Sequence, residues 1–328
     1  MRASFLVAGP LLARTGHARV YMPGGCTIGA RPVELHLKGF QAMGAEIINN
    51  EIESFVEMSC DRLQGASIYL DFPSVGATEN IIMAAVLADG ETIIENAAAE
   101  PEIVDLTDFL IKQGAKISGS GSDTIKIEGV EELTPTIHKV ISDRIEAGTF
   151  MTAFAMTRGH GIIKNANYEH IKPVAAKLME MGVEISEQAD GSIKVNGERS
   201  LKTTDIKTLP FPGFPTDMQA PFTVLLSTLE GTGIIIETVF ENRFLHIGEL
   251  NRMGADIRID GRTSVIEGSR QLSGTKVNAF DLRGGAALVL AGMIAKGDTV
   301  ITGTEHIKRG YEKFIPKLEQ IGAKIYLK

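Results

Sequence analysis

The stretch PEIVDLTDFLIKQGAKI, residues 101–117, contains the pattern that decides the fold. Its apolar residues recur at helical spacing and share one face: Ile103, Val104, Leu106, Phe109 and Leu110. Pro101 suits the first turn of such a helix, and Gly114 suits the left-handed position that ends it. The run after the glycine is typical of a short β-strand. The stretch therefore predicts an amphipathic helix that a glycine joins to a strand.

The same closure recurs five times along the chain. It stands at Gly44-Ala45-Glu46-Ile47, Gly114-Ala115-Lys116-Ile117, Gly182-Val183-Glu184-Ile185, Gly254-Ala255-Asp256-Ile257 and Gly322-Ala323-Lys324-Ile325. The glycines are 68 to 72 residues apart, and a β run precedes the helix, as at 92–94, 234–236 and 299–301. This spacing predicts an α/β protein built from copies of one repeat of about 70 residues.

A second helix recurs in each copy and is apolar on nearly every side. Its copies begin near Ala3, Thr78, Glu146, Met218 and Gly284. Such a helix belongs in the core, so each copy is expected to place this helix inside and its strands outside. The repeat is longer than a solenoid repeat, which favours closed domains. We expect two, at 1–142 and 143–328, because 328 residues exceed what one core usually holds.

Composition excludes several classes of protein. The net charge is −8, from 33 Lys and Arg against 41 Asp and Glu, which argues against a nucleic-acid partner bound by bulk charge. Two cysteines, Cys26 and Cys60, form no disulfide framework and indicate a reducing cytoplasm. The longest apolar runs, such as 286–295, are too short to span a membrane. No metal-binding or cofactor-binding motif is present, so we expect a soluble protein without metal or cofactor.

The starts of the five inner helices are the first candidate for a ligand site. They carry Arg2, then Ser74-Val75-Gly76, Asp143-Arg144, Thr216-Asp217 and Asp281-Leu282-Arg283. Free N–H groups and the positive end of the helix dipole favour phosphates and carboxylates there. Helix capping by Ser, Thr and Asp is the alternative, and we expect it for Thr78. Capping does not explain the arginines, which are unfavourable at a helix start unless an anion is present.

The second candidate is a glycine-rich loop in the first copy, residues 23–32, around Cys26. A thiol among glycines and beside Arg31 is where an exposed cysteine of low pKa would stand. A small buried hydrophobic residue is the alternative, and the two interpretations of Cys26 stay open. For Cys60 we favour the buried interpretation.

These segments resemble those of a known family. Residues 23–36, PGGCTIGARPVELH, are similar to the catalytic loop of UDP-N-acetylglucosamine enolpyruvyl transferases, also called UDP-N-acetylglucosamine 1-carboxyvinyltransferases. Four further segments match in the family's order: 73–78, 214–220, 237–244 and 309–312. The resemblance covers the whole chain. It implies an inside-out α/β barrel of two domains, each of three repeats, with the active site between them.

The resemblance also implies a reaction and its residues. Enolpyruvyl would pass from phosphoenolpyruvate to the 3′-hydroxyl of UDP-N-acetylglucosamine, with release of phosphate, as the first committed step of peptidoglycan synthesis. Cys26 would be the general acid and Asp217 the acceptor of the hydroxyl proton, while Arg2, Arg31 and Arg309 would hold phosphate and carboxylate. The other substrate-binding positions are Arg31, Pro32, Val33, Glu34 and Leu35 for uridine, Ser74, Val75 and Gly76 for the diphosphate, Val239 for the sugar, and Asp281 and Arg283 lining the site.

The first copy departs from the pattern. It is only about 45 residues long and begins at its inner helix, without the opening strands or the N-terminal Lys-Asn pair that the family uses on phosphoenolpyruvate. This predicts an N-terminally truncated chain of low stability and activity. Two alternatives stay open: a truncated pseudoenzyme that binds a UDP-sugar, and the sister enzyme that uses shikimate 3-phosphate. The Cys26 loop and the uridine stretch speak against the sister enzyme.

Overall fold

The computed structural model describes residues 2–22, 33–50, 52, 54–269 and 271–327. Within these residues the chain passes through five copies of the repeat. Each copy has an inner helix, a strand and an outer helix, and the first four continue into two antiparallel strands.

The bounds of the elements follow the order of the copies. Copy one contains a 3₁₀ helix Arg2–Val7, α1 Ala8–Thr15, β1 His17–Tyr21, α2 Glu34–Ala42, β2 Glu46–Asn50 and β3 Phe55–Ser59. Copy two contains β4 Ser67–Tyr69, α3 Val75–Ala85, β5 Glu91–Glu95, α4 Pro101–Lys112, β6 Lys116–Ser118 and β7 Thr124–Glu128. Copy three contains α5 Arg144–Met156, β8 His160–Ile163, α6 Tyr168–Met181, β9 Glu184–Glu187 and β10 Ile193–Asn196.

Copy four contains β11 Ile206–Lys207, a 3₁₀ turn Thr216–Met218, α7 Gln219–Ser227, β12 Thr232–Ile236, α8 Leu245–Arg252, β13 Asp256–Asp260 and β14 Thr263–Glu267. Copy five contains β15 Lys276–Asn278, α9 Leu282–Ile294, β16 Val300–Thr302, a 3₁₀ turn Ile307–Arg309 and α10 Phe314–Gln320.

Each copy builds its own sheet. The strand orders are β1-β3-β2, β4-β5-β7-β6, β8-β10-β9, β11-β12-β14-β13 and β15-β16. In copies two, four and five a short strand before the inner helix pairs in parallel with the strand after it, as Ile206 does with Ile235. The other pairings within these sheets are antiparallel.

The inner helices α7 and α9 are buried as their all-round apolar sequence predicts. All nine residues of α7 are buried, and α9 is buried continuously from Arg283 to Ala291. The outer helices bury one face only; in α4 this face consists of Pro101, Ile103, Thr107 and Leu110. The prediction of one fully buried and one amphipathic helix is confirmed in copy four by α7 and α8. It is wrong for copy one, where the inner helix α1 buries only Ala8, Gly9 and Leu12 and Leu11 is 41% exposed.

The closing glycines also behave as predicted. Gly44, Gly114, Gly182, Gly254 and Gly322 all have φ between +90° and +108°, the left-handed region that glycine tolerates without strain. The β run after the last of them is absent, and that part of the prediction was wrong: residues 323–327 contain no strand. In copies one to four this run pairs with the strand that follows it, and no strand follows residue 322 within the described residues.

A close strand crossing recurs in three copies and was not predicted: the residue after the last strand of the copy packs against backbone at or just after the end of its inner helix. Gly129, Gly197 and Gly268 each follow the last strand of a copy, and their N–H groups donate to the carbonyls of Gly90, Gly159 and Gly231 at 2.9–3.0 Å. A Cβ at Gly268 would lie 1.7 Å from the carbonyl oxygen of Leu229, and one at Gly129 1.8 Å from that of Ala88. In copy one the half-buried Cys60 makes the corresponding bond, to the carbonyl of Gly16 at 2.9 Å.

The described chain divides into two compact units. The N-terminal unit comprises residues 2–22, 33–141 and 210–212, and the C-terminal unit comprises 142–209 and 213–327. Each has its own apolar core, around α1 and α3 in the first and around α5, α7 and α9 in the second. Among the residues described, no helix has both the length and the apolar character that crossing a membrane requires.

Candidate active site

Asp217 lies in the 3₁₀ turn Thr216–Met218, just before the buried helix α7, and is held by two arginines. Arg243 Nη2 donates to Asp217 Oδ1. Arg283 donates to Oδ2 from Nε at 3.1 Å and from Nη2 at 2.9 Å. The side chain of Asp217 is 34% exposed, whereas those of Arg243 and Arg283 are 6% and 11% exposed. The carboxylate is therefore partly exposed to solvent, while the two guanidinium groups that bind it are nearly buried.

Burial and the neighbouring charges have opposite effects on the pKa values of Asp217 and Arg283. Burial acts to raise the pKa of the Asp217 carboxyl, but the charges and hydrogen bonds of Arg243 and Arg283 outweigh it and hold that pKa well below its usual value. Burial likewise acts to lower the pKa of Arg283, and the Asp217 charge outweighs it, so that pKa is raised. Asp217 is therefore a carboxylate at neutral pH, bonded to two guanidinium groups of the kind that bind anions.

Asp281 sets the position of Arg283. It is the N-cap of α9, and its Oδ1 accepts the backbone N–H groups of Arg283 at 3.0 Å and Gly284 at 2.9 Å. Arg283 thereby lies in the first turn of the helix, where a cation is unfavourable without an anion nearby. The structure identifies an anion from the chain itself, Asp217.

Capping accounts for the small polar residues at other inner helices. Asp143 accepts the N–H groups of Ile145 and Glu146, at 2.7 and 3.0 Å, and Ser74 accepts that of Ala77 at 3.4 Å. The expectation that Thr78 is a cap was wrong. Thr78 lies inside α3, fully buried, where its hydroxyl accepts the N–H of Ala98 at 3.0 Å. Ser74 occupies the cap because α3 begins at Val75, earlier than predicted.

The segment 307–311 lies beside the start of α9. The buried Tyr311 hydroxyl hydrogen-bonds the Thr149 hydroxyl of α5 at 2.9 Å, and the Arg283 guanidinium lies 5.1 Å from the Tyr311 ring centre. Burial raises the pKa of the Tyr311 hydroxyl. Arg309 ends the preceding 3₁₀ turn and is exposed. The predicted residues Asp217, Asp281 and Arg283 thus lie together. Arg309 stands two residues before Tyr311, whose ring contacts the Arg283 guanidinium.

Val239 belongs to the loop after β12, which a buried carboxylate organises. Glu237 accepts the backbone N–H groups of Val239 at 2.8 Å and Phe240 at 3.2 Å. The same loop carries Arg243, one of the two partners of Asp217. Sequence reasoning assigned no role to Glu237 or Arg243. Their position in the segment 237–244, which matched the family, was the available signal.

The N-terminal unit brings two other predicted segments together. Val33 is the N-cap of α2, Glu34 and Leu35 begin that helix, and residues 74–76 begin α3. The ring of the buried His36 lies between them, since a Cβ at Gly76 would be 3.4 Å from His36 Cε1. Arg2 begins the 3₁₀ helix Arg2–Val7, whose Phe5 carbonyl accepts from Asn80 Nδ2 at 3.0 Å. Three predicted residues lie outside the described residues: Cys26, Arg31 and Pro32.

Sequence reasoning also missed a pair of histidines. His36 and His246 each stand eight residues before a closing glycine, and they are 1% and 2% exposed. His36 Nδ1 lies 3.0 Å from Asn80 Nδ2, while neither ring nitrogen of His246 has a hydrogen-bond partner among the described residues. Burial lowers the pKa of His246 to about 4, against the opposing charge of Asp281. Their equal spacing in sequence from the closing glycines was the available signal for these histidines.

Comparison with known proteins identifies the fold family of this chain. A family model described as EPSP synthase (3-phosphoshikimate 1-carboxyvinyltransferase) matches residues 1–318. The fold matches the enolpyruvyl transferase NikO from Streptomyces tendae with a TM-score of 0.84 at 24% identity, covering 98% of this chain and 76% of that one. It matches EPSP synthase from Acinetobacter baumannii with a TM-score of 0.73 at 23% identity, covering 98% and 77%. The chain has the α/β enolpyruvyl transferase fold.

Curated relatives narrow the assignment. Proteins from Caldanaerobacter subterraneus, Carboxydothermus hydrogenoformans and Clostridium tetani are 60%, 58% and 55% identical to this chain. The alignments cover 100%, 99% and 99% of this chain and 78%, 77% and 78% of those proteins. All three are named UDP-N-acetylglucosamine 1-carboxyvinyltransferase. The chain therefore belongs to the UDP-N-acetylglucosamine 1-carboxyvinyltransferases within the EPSP synthase family.

Proposed function

We propose that this chain transfers the enolpyruvyl group of phosphoenolpyruvate to the 3′-hydroxyl of UDP-N-acetylglucosamine and releases phosphate. The observation that carries the proposal is the 55–60% identity to enzymes of that name over nearly the whole chain. The two arginines on Asp217 support it independently, because both substrates are anions and guanidinium groups bind phosphate and carboxylate. Enolpyruvyl transfer to this UDP-sugar is the first committed step of peptidoglycan synthesis.

The reaction is an addition followed by an elimination. The sugar oxygen attacks C2 of phosphoenolpyruvate, the hydroxyl loses its proton to a base, and an acid protonates the methylene carbon C3. The tetrahedral intermediate then loses phosphate from C2 and a proton from C3, which restores the double bond. In this proposal Asp217 is the base and Cys26 the acid. Arg2, Arg31, Arg283 and Arg309 stabilise the anionic intermediate.

The base can act only after its arginines move. A carboxylate with a pKa held this low is a poor proton acceptor while both cations bind it. Phosphate and carboxylate groups of the substrates present the same kind of acceptor to Arg243 and Arg283. We infer that the substrate anion takes over one or both guanidinium groups, which restores the basicity of Asp217 when the hydroxyl is in place.

The remaining substrate assignments follow the family segments. Val33, Glu34 and Leu35, with Arg31 and Pro32, are proposed for the uridine. Ser74, Val75 and Gly76 are proposed for the diphosphate, which the start of α3 would favour. Val239 is proposed for the sugar. Shikimate 3-phosphate is not favoured as acceptor, because the relatives at 55–60% identity are named for UDP-N-acetylglucosamine.

The cellular setting is part of the same proposal. An enzyme of this step would act in the cytoplasm, where both soluble substrates are made, and it would serve cell-wall biogenesis, cell shape and cell division. Cys26 would be the target of the epoxide antibiotic fosfomycin. The low cysteine count agrees with a reducing compartment.

Phosphate release tests the proposal. Any phosphate that the purified chain releases is expected to depend on the presence of both phosphoenolpyruvate and UDP-N-acetylglucosamine. The variants Cys26→Ser and Asp217→Asn should lower the rate by about 100-fold or more, the usual contribution of a general acid or base. Binding of UDP-N-acetylglucosamine without any phosphate release would instead support a protein that binds the UDP-sugar and does not catalyse. Release with shikimate 3-phosphate as acceptor would contradict the assigned substrate.

A further inference from the structure

Glu237 is a fully buried carboxylate with a complete set of donors. It stands directly after β12 and has no exposed surface. Its Oε1 accepts from the Thr208 hydroxyl at 2.9 Å and from the N–H groups of Val239 and Phe240. Its Oε2 accepts from the Thr216 hydroxyl at 2.8 Å. A buried carboxylate is tolerated only when it is bonded in this way.

The direction of these bonds follows from counting protons. A hydroxyl has one proton, and the Thr208 hydroxyl already accepts the N–H of Thr238 at 2.9 Å. The Thr216 hydroxyl already accepts Arg243 Nη1 at 2.8 Å. The Glu237 oxygens are the near acceptors for both hydroxyl protons, at 2.9 Å from Thr208 and 2.8 Å from Thr216, whereas the Ile236 carbonyl lies 3.5 Å from the Thr208 hydroxyl. Each hydroxyl therefore gives its proton to Glu237, whose two oxygens act as acceptors. This is the pattern of an ionised carboxylate.

The bonds connect Glu237 to Asp217. Glu237 orients the Thr216 hydroxyl, which presents a lone pair to Arg243 Nη1, while Nη2 of the same guanidinium binds Asp217. Glu237 also fixes the loop that carries Arg243, through the N–H groups of Val239 and Phe240. Both ends of the Arg243 side chain are thereby placed by one carboxylate that does not itself contact Asp217.

Copy two shows that the fold does not require this carboxylate. Its strands β4 and β5 pair in parallel like β11 and β12, and Leu70 N–H donates to the Glu95 carbonyl as Thr208 N–H donates to that of Ile236. The position equivalent to Glu237 is occupied by Asn96, and Leu70 supplies no hydroxyl. The same junction therefore forms without the buried charge, which points to a role beyond the strand pairing.

We infer that Glu237 is a positioning residue for enolpyruvyl transfer, which acts through Thr216 to place Arg243 where it can pass from Asp217 to the substrate anion. The inference rests on the proposed function, because it gives this alignment a purpose in the transfer. Glu237 itself contacts neither the solvent face of the site nor the reacting atoms.

The variant Glu237→Gln tests the link with little change in shape. The amide oxygen takes the place of Oε1 and accepts from the same three donors. The amide NH₂ then takes the place of Oε2 and faces Thr216. The Thr216 hydroxyl then meets two donors, and its own proton has no acceptor. We expect kcat to fall by about 10- to 100-fold, as small displacements of catalytic groups do. KM for UDP-N-acetylglucosamine should change by less than about threefold, since uniform binding is untouched.

Variants of Thr216 test the same link from its other end and remain informative if Glu237→Gln does not fold. Thr216→Val should lower kcat as Glu237→Gln does, and Thr216→Ser, which keeps the hydroxyl, should restore it. The double variant of Glu237→Gln and Thr216→Val should be no worse than either single variant, because both remove one interaction.

Glu249→Gln is the matched control. Glu249 is another buried carboxylate of the same unit, bonded to the N–H of Asn278 and to Arg252 and not to the Asp217 cluster. The change should lower the melting temperature while kcat stays within about twofold of wild type, since the residue has no part in the transition state.

A measurement without turnover separates this inference from the proposed function. Carbon-13 NMR of the Asp217 carboxyl, assigned with Asp217→Asn, should show its titration moving to higher pH in Glu237→Gln and Thr216→Val but not in Glu249→Gln. If the titration shifts in this way but the wild-type chain is inactive, the proposed function is contradicted, whereas the link from Glu237 through Thr216 to Arg243 is supported. Unchanged kcat and an unchanged Asp217 titration, with a melting temperature lowered as in Glu249→Gln, would overturn the inference.

Discussion

His246 is the residue whose protonation most directly opposes folding. It is buried between the start of α9 and the loop of Arg243, and neither ring nitrogen has a hydrogen-bond partner among the described residues. His36, the equivalent histidine of the N-terminal unit, lies next to Asn80, which stands six residues after the N-cap of α3. The residue six positions after the N-cap of α9 is Ala287. His246 therefore lacks the amide that His36 meets, and it is buried without a partner for a charged ring.

A pH titration of stability tests this description of His246. Its pKa is lowered from 6.5 to about 4 by burial, so the unfolded chain binds the proton more readily than the folded chain. Stability is therefore full above about pH 6.5 and falls as the pH drops toward 4, by at most about 1.4 kcal/mol per pH unit from this residue. Urea unfolding at several pH values should show this slope, and His246→Met should flatten it.

A further loss is expected at lower pH in wild type and variant alike. The pKa of Asp217 is depressed, so its contribution is present above the unfolded value of about 4 and is lost as the pH falls below it. An equal slope for wild type and His246→Met between pH 6.5 and 4 would show that His246 is not the group that titrates.

Cysteine reactivity distinguishes the two interpretations of Cys26. If Cys26 is the reactive acid of a catalytic loop, fosfomycin with UDP-N-acetylglucosamine present should add to it and leave Cys60 unmodified. Burial raises the pKa of the Cys60 thiol, which keeps it as the less nucleophilic thiol form. Mass spectrometry of the digested adduct locates the modification. An adduct at Cys60 alone would contradict the assignment of the loop.

At the scale of elements, the close strand crossings set the strictest demands on sequence. Gly268→Ala would put a methyl group 1.7 Å from the Leu229 carbonyl oxygen, which is backbone and cannot rotate away. We expect this variant to lose about 3 kcal/mol of unfolding free energy. The melting temperature and urea midpoint measure it.

The control for that variant is a glycine of the same unit with space around it. Gly248 lies inside α8, and nothing is within 4 Å of a Cβ placed on it. Gly248→Ala should gain about 0.5–1 kcal/mol, since alanine favours a helix more than glycine does. Equal stability of the two alanine variants would show that the crossing is less tight than described.

The periodic elements could be predicted from sequence, because their physics is local. The stretch around Pro101 and Gly114 contains its own helix start and stop, and the apolar residues of α7 and α9 allow no exposed face. The crossings at Gly129 and Gly268 could not be predicted, since their cause is a carbonyl about 40 residues away in sequence. Glu237 was missed for a related reason: a Glu-Thr pair after a strand is typical of an exposed turn, and its burial depends on Thr208 and Thr216.

At the scale of the whole molecule, the segment 129–143, which connects copy two to copy three, bears on the predicted division at 142–143. It contains no helix or strand, and Ile137 and Val140 are 96% and 72% exposed. His138 fastens it to α4, since its Nε2 lies 2.8 Å from Asp105 Oδ1. The same carboxylate oxygen accepts the N–H of Ile141 at 3.3 Å. The Asp105 side chain thus fastens the part of the segment around Ile137 and Val140 to α4.

Limited proteolysis tests both the segment and the division into domains. Trypsin is expected to cut after the exposed Lys139 and to leave a folded fragment 140–328, because cleavage favours exposed backbone outside helices and strands. Asp105→Ala should speed this cut by about fivefold, the effect of losing about 1 kcal/mol of hydrogen bonding. Rapid degradation of fragment 140–328 would argue against an independently folded second domain.

The backbone bonds at the strand crossings also bear on how such a chain is made. Gly90 and Gly129 are 39 residues apart, Gly159 and Gly197 are 38 apart, and Gly231 and Gly268 are 37 apart. Each bond therefore joins residues that leave the ribosome within a few seconds of each other at ordinary synthesis rates. A copy can close on itself before the next copy is translated. Synthesis from the N-terminus would thus assemble the molecule as a series of short closures, each already complete when its neighbour arrives.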